Sequence, residues 1–191
     1  MSYKFRSYLI ALIAGCLSIA GQGISLADDW TNKGMADEGR FIAGFRVGPS
    51  FTTQDGGVST AGPALNFQGM YGLNQWFRVG MMLEWERHGL DGRDGTLNTI
   101  SILPATLEFR PGHIGPFIPY LTTGIGVNVN TKDVDDTFAW RLGGGVDYAL
   151  THLISGAPQG LKLNVETAWK RNQPGAELSA IGLLFGIRHT Y

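Results

Sequence analysis

Gly182-Leu183-Leu184-Phe185-Gly186-Ile187-Arg188-His189-Thr190-Tyr191 closes the chain, and its reading decides the fold. Leu183, Phe185, Ile187 and the terminal Tyr191 recur at even spacing, so one face of an extended segment is apolar, while Gly182, Gly186 and Arg188 fall on the other. A strand that stops on an aromatic is odd in a soluble domain, where termini fray and tolerate trimming. Two placements fit the alternation: a core strand of a soluble β domain, or a strand whose apolar face meets lipid.

The far end of the chain bears on the compartment. Lys4 and Arg6 precede an apolar run from Tyr8 to Ala14, which continues more weakly through Leu17 to Ala20 and Ile24 to Ala27. Ser25-Leu26-Ala27 offers small residues where a signal peptidase reads, ahead of Asp28-Asp29. The reading is a Sec signal over residues 1–27, removed after Ala27, followed by one exported domain over residues 28–191. An alternative is Ile13-Ala14-Gly15-Cys16, which resembles a lipoprotein processing box with Cys16 acylated. A membrane helix fits less well, because Gly15, Gly21, Gly23 and Gln22 interrupt a stretch that would need about 20 apolar residues.

Cys16 is the only cysteine, so a cleaved signal takes with it any disulfide, thiolate nucleophile or cysteine-ligated metal. The net charge of −1 gives no electrostatic footprint for nucleic acid. The 28 glycines are scattered through apolar segments with no three-residue period, which excludes collagen and suits a narrow, strongly bent sheet.

Between these ends lie eight strand-like segments: Arg40 to Thr52, Ala61 to Leu73, Trp76 to His88, Thr99 to Arg110, Pro119 to Asn130, Phe138 to Leu150, Leu161 to Arg171 and Glu177 to Tyr191. In the third, Phe77, Val79, Met81, Leu83 and Trp85 oppose Arg78, Gly80, Met82, Glu84 and Glu86. The first, fifth and seventh repeat the scheme. Globular strands usually run about 5 to 6 residues, whereas tilted transmembrane strands need about 9 to 11, and these segments have the longer length. The expected fold is therefore all-β: an eight-stranded antiparallel transmembrane barrel of the bacterial outer membrane. Phe185, Ile187 and Tyr191 would then be an interface anchor and assembly signal, although His189 stands where such signals usually carry another hydrophobic residue.

With both ends in the periplasm, Leu73 to Trp76, Pro111 to Ile118 and Thr151 to Gly160 become periplasmic turns. The external loops are Thr53 to Thr60, Gly89 to Asn98, Thr131 to Thr137 and Asn172 to Ala176. Asp91-Gly92-Arg93-Asp94-Gly95 lacks the alternating ligands and closing glutamate of a calcium loop and reads as a β-turn. One segment breaks phase: Ile100 and Ile102 lie on one parity, Leu103, Ala105, Leu107 and Phe109 on the other, so a bulge is expected near Leu103-Pro104. Trp30, Trp76, Trp85, Trp140 and Trp169 fall near segment ends, as interface girdles do.

The row opposite the apolar one collects Arg46, Arg78, Arg110, Arg141, Lys162, Lys170 and Arg188 against Glu84, Glu86, Glu108, Asp147 and Glu166. An eight-stranded barrel has an interior just wide enough for side chains to fill, so these charges must pair with one another or with trapped water. The expected role is a narrow channel or conduit whose charged lining guides small, possibly hydrophobic, solutes; the alternative is a closed structural or adhesive barrel with a salt-bridged lumen and no transport activity. Catalysis has little support. Barrel lipid A deacylases carry a His-x-Ser pair with a glutamate partner, and none of His88, His113, His152 or His189 has a serine two residues on. No zinc spacing or phosphate loop is present, and no cofactor is expected. The expected partners are outer-membrane lipid and lipopolysaccharide, the barrel assembly machinery and small solutes.

Ser101-Ile102-Leu103-Pro104-Ala105-Thr106-Leu107, then Phe117-Ile118-Pro119-Tyr120-Leu121-Thr122-Thr123-Gly124-Ile125-Gly126-Val127-Asn128, resembles the middle of the outer membrane protein W family. Gly144-Gly145-Val146-Asp147-Tyr148 is similar to that family's Gly-Val-Asp-Tyr strand. The resemblance implies an eight-stranded barrel associated with passage of small, often hydrophobic, molecules. It transfers no functional residue. The loops here are shorter and the inward row more charged than that role would suggest.

Overall fold

The computed structural model describes residues 37–53, 61–89, 95–131, 137–173 and 179–191. They form β1 (Phe41–Thr52), β2 (Ala61–Gly72), β3 (Phe77–Gly89), β4 (Thr96–Phe109), β5 (Phe117–Asn130), β6 (Thr137–Ala149), β7 (Leu161–Gln173) and β8 (Ser179–Thr190). Each strand pairs antiparallel with the next, and β8 returns to β1 through pairs such as Ile42 with Thr190 and Phe45 with Ile187. The result is a closed barrel with no free sheet edge.

Burial decides between the two placements left open by the alternation. Phe45, Phe67, Met81, Leu83, Leu121, Ile125, Leu142, Phe185 and Ile187 are exposed on the outer wall. The four bulkiest fully buried side chains among the described residues are Arg46, Arg78, Arg141 and Arg188. A soluble sheet does the reverse, because an exposed apolar row costs free energy in water and a buried charge costs more. Strands of 12 to 14 residues with apolar side chains outward suit hydrocarbon on the outside.

The break in β4 is a bulge. Residues 103 to 106 span one residue more than their β3 partners, where Met82 faces Leu103 and Gly80 faces Thr106, and residues 102 to 105 one more than their β5 partners, where Val127 faces Ile102 and Ile125 faces Ala105. Pro104 and Ala105 both face outward, which resets the parity so that Leu107 stays outside and Glu108 inside. Leu103, which the sequence grouped with the outward residues, is instead fully buried against Met82 and Ala139.

Some strand ends differ from expectation. β4 begins at Thr96 rather than Thr99, because Leu97 and Asn98 extend the ladder opposite His88 and Arg87. β5 begins at Phe117, β7 extends to Gln173 and β8 begins at Ser179. The expected signal segment, Cys16, Trp30 and most of the loop from Asp91 to Gly95 lie outside the described residues.

The barrel end that carries Phe41 and Thr190, here the lower end, holds three connections. Asn74 closes the tight turn between β2 and β3 by accepting from the backbone N–H groups of Trp76 and Phe77, both at 2.8 Å. The second connection runs from Arg110 to Pro116, and the third opens with a single 3-10 turn at Leu150–His152. A short lead also docks here. Gly39, at φ +72, turns the backbone so that its N–H reaches the Gly72 carbonyl at 2.9 Å, while Gly72 N–H reaches the Arg40 carbonyl at 3.0 Å. Asp37, at the head of this lead, is buried. At the same rim Tyr191 N–H donates to the Phe41 carbonyl at 2.8 Å, with the tyrosine ring left 69% exposed.

Candidate functional site

Outside the β4 bulge, every second residue of a strand points into the barrel, so the polar row of the sequence becomes a stack of side chains that meet across the lumen. All twelve charged residues singled out from the sequence are buried there. They form three connected layers.

The middle layer centres on Arg46 of β1. Its Nε and Nη2 donate to Asn66 Oδ1 on β2 at 3.1 and 2.7 Å, and Nη1 donates to the Tyr120 hydroxyl on β5 at 3.2 Å. Arg46 also pairs with Glu166 on β7 and donates to Gln68. Glu166 accepts from the Tyr120 hydroxyl at 2.6 Å and pairs with Arg141 on β6. Arg141 Nε in turn meets Glu84 of β3 at 3.0 Å. These contacts run from one wall to the other.

The upper layer continues from Glu84. Lys170 Nζ lies 2.9 Å from Glu84 and 3.0 Å from Glu86. Ser50 donates to Glu86 at 2.9 Å, and Ser101 donates to Asn128 at 2.6 Å. His88 is buried, with Nε2 4.0 Å from Glu86.

The lower layer is the richest in charge. Arg78 pairs with Glu108 at 2.9 Å and with Asp37. Arg110 reaches Asp37 at 2.6 Å and Asp147 at 3.1 Å. Arg188 pairs with Asp147 at 3.0 Å and with Glu108, and its guanidinium lies 4.7 Å from the centre of the Tyr120 ring. Lys162 Nζ stands 3.8 Å from Asp37. Asn164 ties this layer to the middle one, donating to Asp147 at 2.7 Å and to the Tyr120 oxygen at 2.8 Å.

Beyond the charged set read from the sequence, the network takes in Ser50, His88, Ser101 and Asn128 of the upper layer and five further residues that tie the layers together. Asn66, Gln68 and Asn164 share the inward parity of their strands, so the alternation marks them once neutral polar groups are counted. Tyr120 looks like a girdle aromatic, yet its position between Pro119 and Leu121 places it inside. Asp37 precedes the first strand, and no periodicity reports on it. Glycines make the room. A Cβ on Gly145 would sit 2.5 Å from the Tyr120 hydroxyl oxygen, and one on Gly44 would crowd Gln68 and Arg188 at 2.9 and 3.1 Å.

Chemically this is an electrostatic filling. Among the described residues, five of the six buried carboxylates touch at least two arginines or lysines, and Glu86 touches Lys170 and Ser50. Arginine keeps its proton at any physiological pH, so the guanidinium groups act as fixed donors. Phe185 and Ile187 lie on the outer wall, exposed, and Tyr191 ends that row at the lower rim, its ring 6.5 Å from that of Phe41. Trp140 and Trp169 pack edge to face at 4.6 Å on the outer wall.

Residues 14–168 match the family model described as the outer membrane protein beta-barrel domain. No curated protein matches the chain in sequence. Among solved structures, the chain is similar to the Neisserial surface protein A (14% identity, TM-score 0.60, 81% of this chain and 98% of that one). It is also similar to the outer membrane protein OprG of Pseudomonas aeruginosa (15% identity, TM-score 0.51, 81% and 96% covered). A third likeness is to the attachment invasion locus protein Ail of Yersinia pestis in complex with a heparin analogue (13% identity, TM-score 0.52, 81% and 99% covered). At these identities the likeness is one of fold.

Proposed function

This chain belongs to the outer membrane protein beta-barrel domain family, and on that premise we propose that it is a sealed envelope barrel, working through its lipid-facing wall and its loops rather than through its lumen. The observation that carries this reading is the path from Arg46 on β1 to Asn66 on β2, Tyr120 on β5 and Glu166 on β7. Side chains that bond to opposite walls and to each other leave the lumen filled, and moving any of them aside breaks a desolvated ion pair. The lower end then faces the periplasm after Sec-dependent export, with Phe185, Ile187 and Tyr191 as anchor and assembly signal. Lipid, lipopolysaccharide and the barrel assembly machinery are its partners.

Kinship with the outer membrane protein W family in particular rests on the Leu-Pro-x-Thr-Leu, Pro-Tyr and Gly-Val-Asp-Tyr segments, and it keeps a narrow solute conduit as the rival role. Planar-bilayer recording on heat-modifiable, folded protein separates the two. The sealed barrel shows a silent membrane at any voltage the bilayer survives. Reproducible openings in the wild-type protein, lost when Arg78 and Glu84 are neutralised, would return the conduit.

A further inference from the structure

The lower layer of the lumen has an imbalance that the other two lack. Among the described residues, Arg78, Arg110, Lys162 and Arg188 face only Glu108 and Asp147 from the barrel strands and their flanks. The third carboxylate, Asp37, is brought in from outside the strands by the lead that turns at Gly39. Asp37 contacts Arg78, Arg110 and Lys162 together, so a single monovalent oxyanion occupies the centre of a cationic ring.

We propose that this mouth of the barrel is a binding site for a small oxyanion of the phosphate or carboxylate class, and that the protein's own Asp37 is its resident occupant. Three observations converge on it. The ring is built: Arg78, Arg110 and Lys162 keep 1%, 5% and 9% of their surface, so their positions are fixed by packing. It has a donor to spare, because Nε of Arg78 makes no hydrogen bond among the described residues, while Nε of Arg110 has only Glu108 at 3.7 Å. It also opens to solvent at one point, where the Asp37 and Lys162 side chains keep 9% and 11% of their surface while the carboxylates of Glu108 and Asp147 keep none.

Among the described residues, Asp37 to Arg40 are held by the backbone exchange with Gly72 and by the ion pairs of Asp37 itself. Withdrawing it removes one negative charge from a layer that already holds more cations than anions. Four buried cations would then share two carboxylates, Glu108 and Asp147, and an uncompensated buried charge is strongly unfavourable, so an oxyanion from solution enters as the Asp37 carboxylate leaves. The lead thus acts as a tethered competitor. Anion binding at this mouth is independent of whether the barrel conducts.

The test uses the full chain refolded in detergent micelles, with inorganic phosphate as the probe and chloride adjusted to hold ionic strength constant. Asp37→Asn vacates the charge while keeping the shape. Its unfolding midpoint, read from the heat-modifiable gel shift, should rise with phosphate, whereas the wild type, already occupied, should respond little. Adding Arg110→Gln to Asp37→Asn should abolish the response. If Asp37→Asn refolds poorly, recovery of the folded form by phosphate but not by chloride is the expected result. No phosphate response in Asp37→Asn, an equal response in the wild type, or a response that survives Arg110→Gln overturns the site.

Discussion

Arg46 and Tyr120 stand on β1 and β5, on opposite sides of the barrel and 74 residues apart in the chain, and the guanidinium Nη1 donates to the phenol oxygen at 3.2 Å. The same hydroxyl donates to Glu166 at 2.6 Å. One phenol thus relays between a cation and an anion at the centre of the lumen. It bridges the β1, β5 and β7 walls across the lumen.

Tyr120→Phe keeps the ring over Arg188 and removes only the hydroxyl. Arg46 and Glu166 remain paired with each other, but Asn164 Nδ2, which donates to the phenol oxygen at 2.8 Å, loses that partner. Leaving buried groups unsatisfied costs about 1–3 kcal/mol. Urea titration of the folded, heat-modifiable form in lipid vesicles should show a loss of that size, and a neutral outcome would mean water reaches the phenol.

Glu166→Ala should cost more. It leaves Arg46 and Arg141 adjacent and buried with no carboxylate between them, and removing one partner of a buried pair destabilises by about 3–5 kcal/mol. Combining it with Arg46→Met should recover part of the loss, because one unpaired charge goes with its partner. The double-mutant cycle measures that coupling directly.

This network shows where the sequence was informative. The alternation placed Arg46, Glu84, Arg141 and Glu166 on one face because strand geometry is strictly two-residue periodic. It could not say that Arg46 meets Glu166, since that pairing depends on barrel circumference and strand stagger, which are long-range quantities. The parity break at Leu103-Pro104 signalled a bulge, but which of three residues absorbs the slip is decided by packing: Leu103 turns in toward Met82 and Ala139. Asp37 lay beyond any periodic segment. A residue held by one turn at Gly39 and three cations leaves no pattern in the chain.

The outer wall gives a depth-dependent prediction. Ile125 sits near the middle of β5, and Phe117 begins it; both are about half exposed, at 50% and 47%. If hydrocarbon covers this face, Ile125→Arg should cost about 2–4 kcal/mol in vesicles and Phe117→Arg only about 0–1 kcal/mol. Equal costs at the two depths would contradict a membrane-spanning orientation of β5.

Glycine substitutions probe how closely the strands and side chains approach. A Cβ on Gly126 would collide with the Ile102 carbonyl on β4, next to the bulge, whereas a Cβ on Gly182 would meet nothing nearer than 3.8 Å. Gly126→Ala should therefore be destabilising by about 1–3 kcal/mol, as overpacking generally is, while Gly182→Ala should be close to neutral. Refolding yield and unfolding midpoint in detergent measure both.

Tyr191 separates assembly from stability. Its backbone N–H closes the barrel rim on Phe41, and any residue but proline supplies that bond; its ring is mostly exposed and touches His189 at 4.4 Å between centroids. Tyr191→Ala should accordingly lower stability in refolded vesicles only slightly. In cells the same change should sharply reduce the heat-modifiable fraction recovered from the outer membrane, if the terminal aromatic is read during assembly. A normal cellular yield paired with a large loss of stability in vitro would make the ring a packing element instead, and would remove the assembly role from Phe185, Ile187 and Tyr191 together.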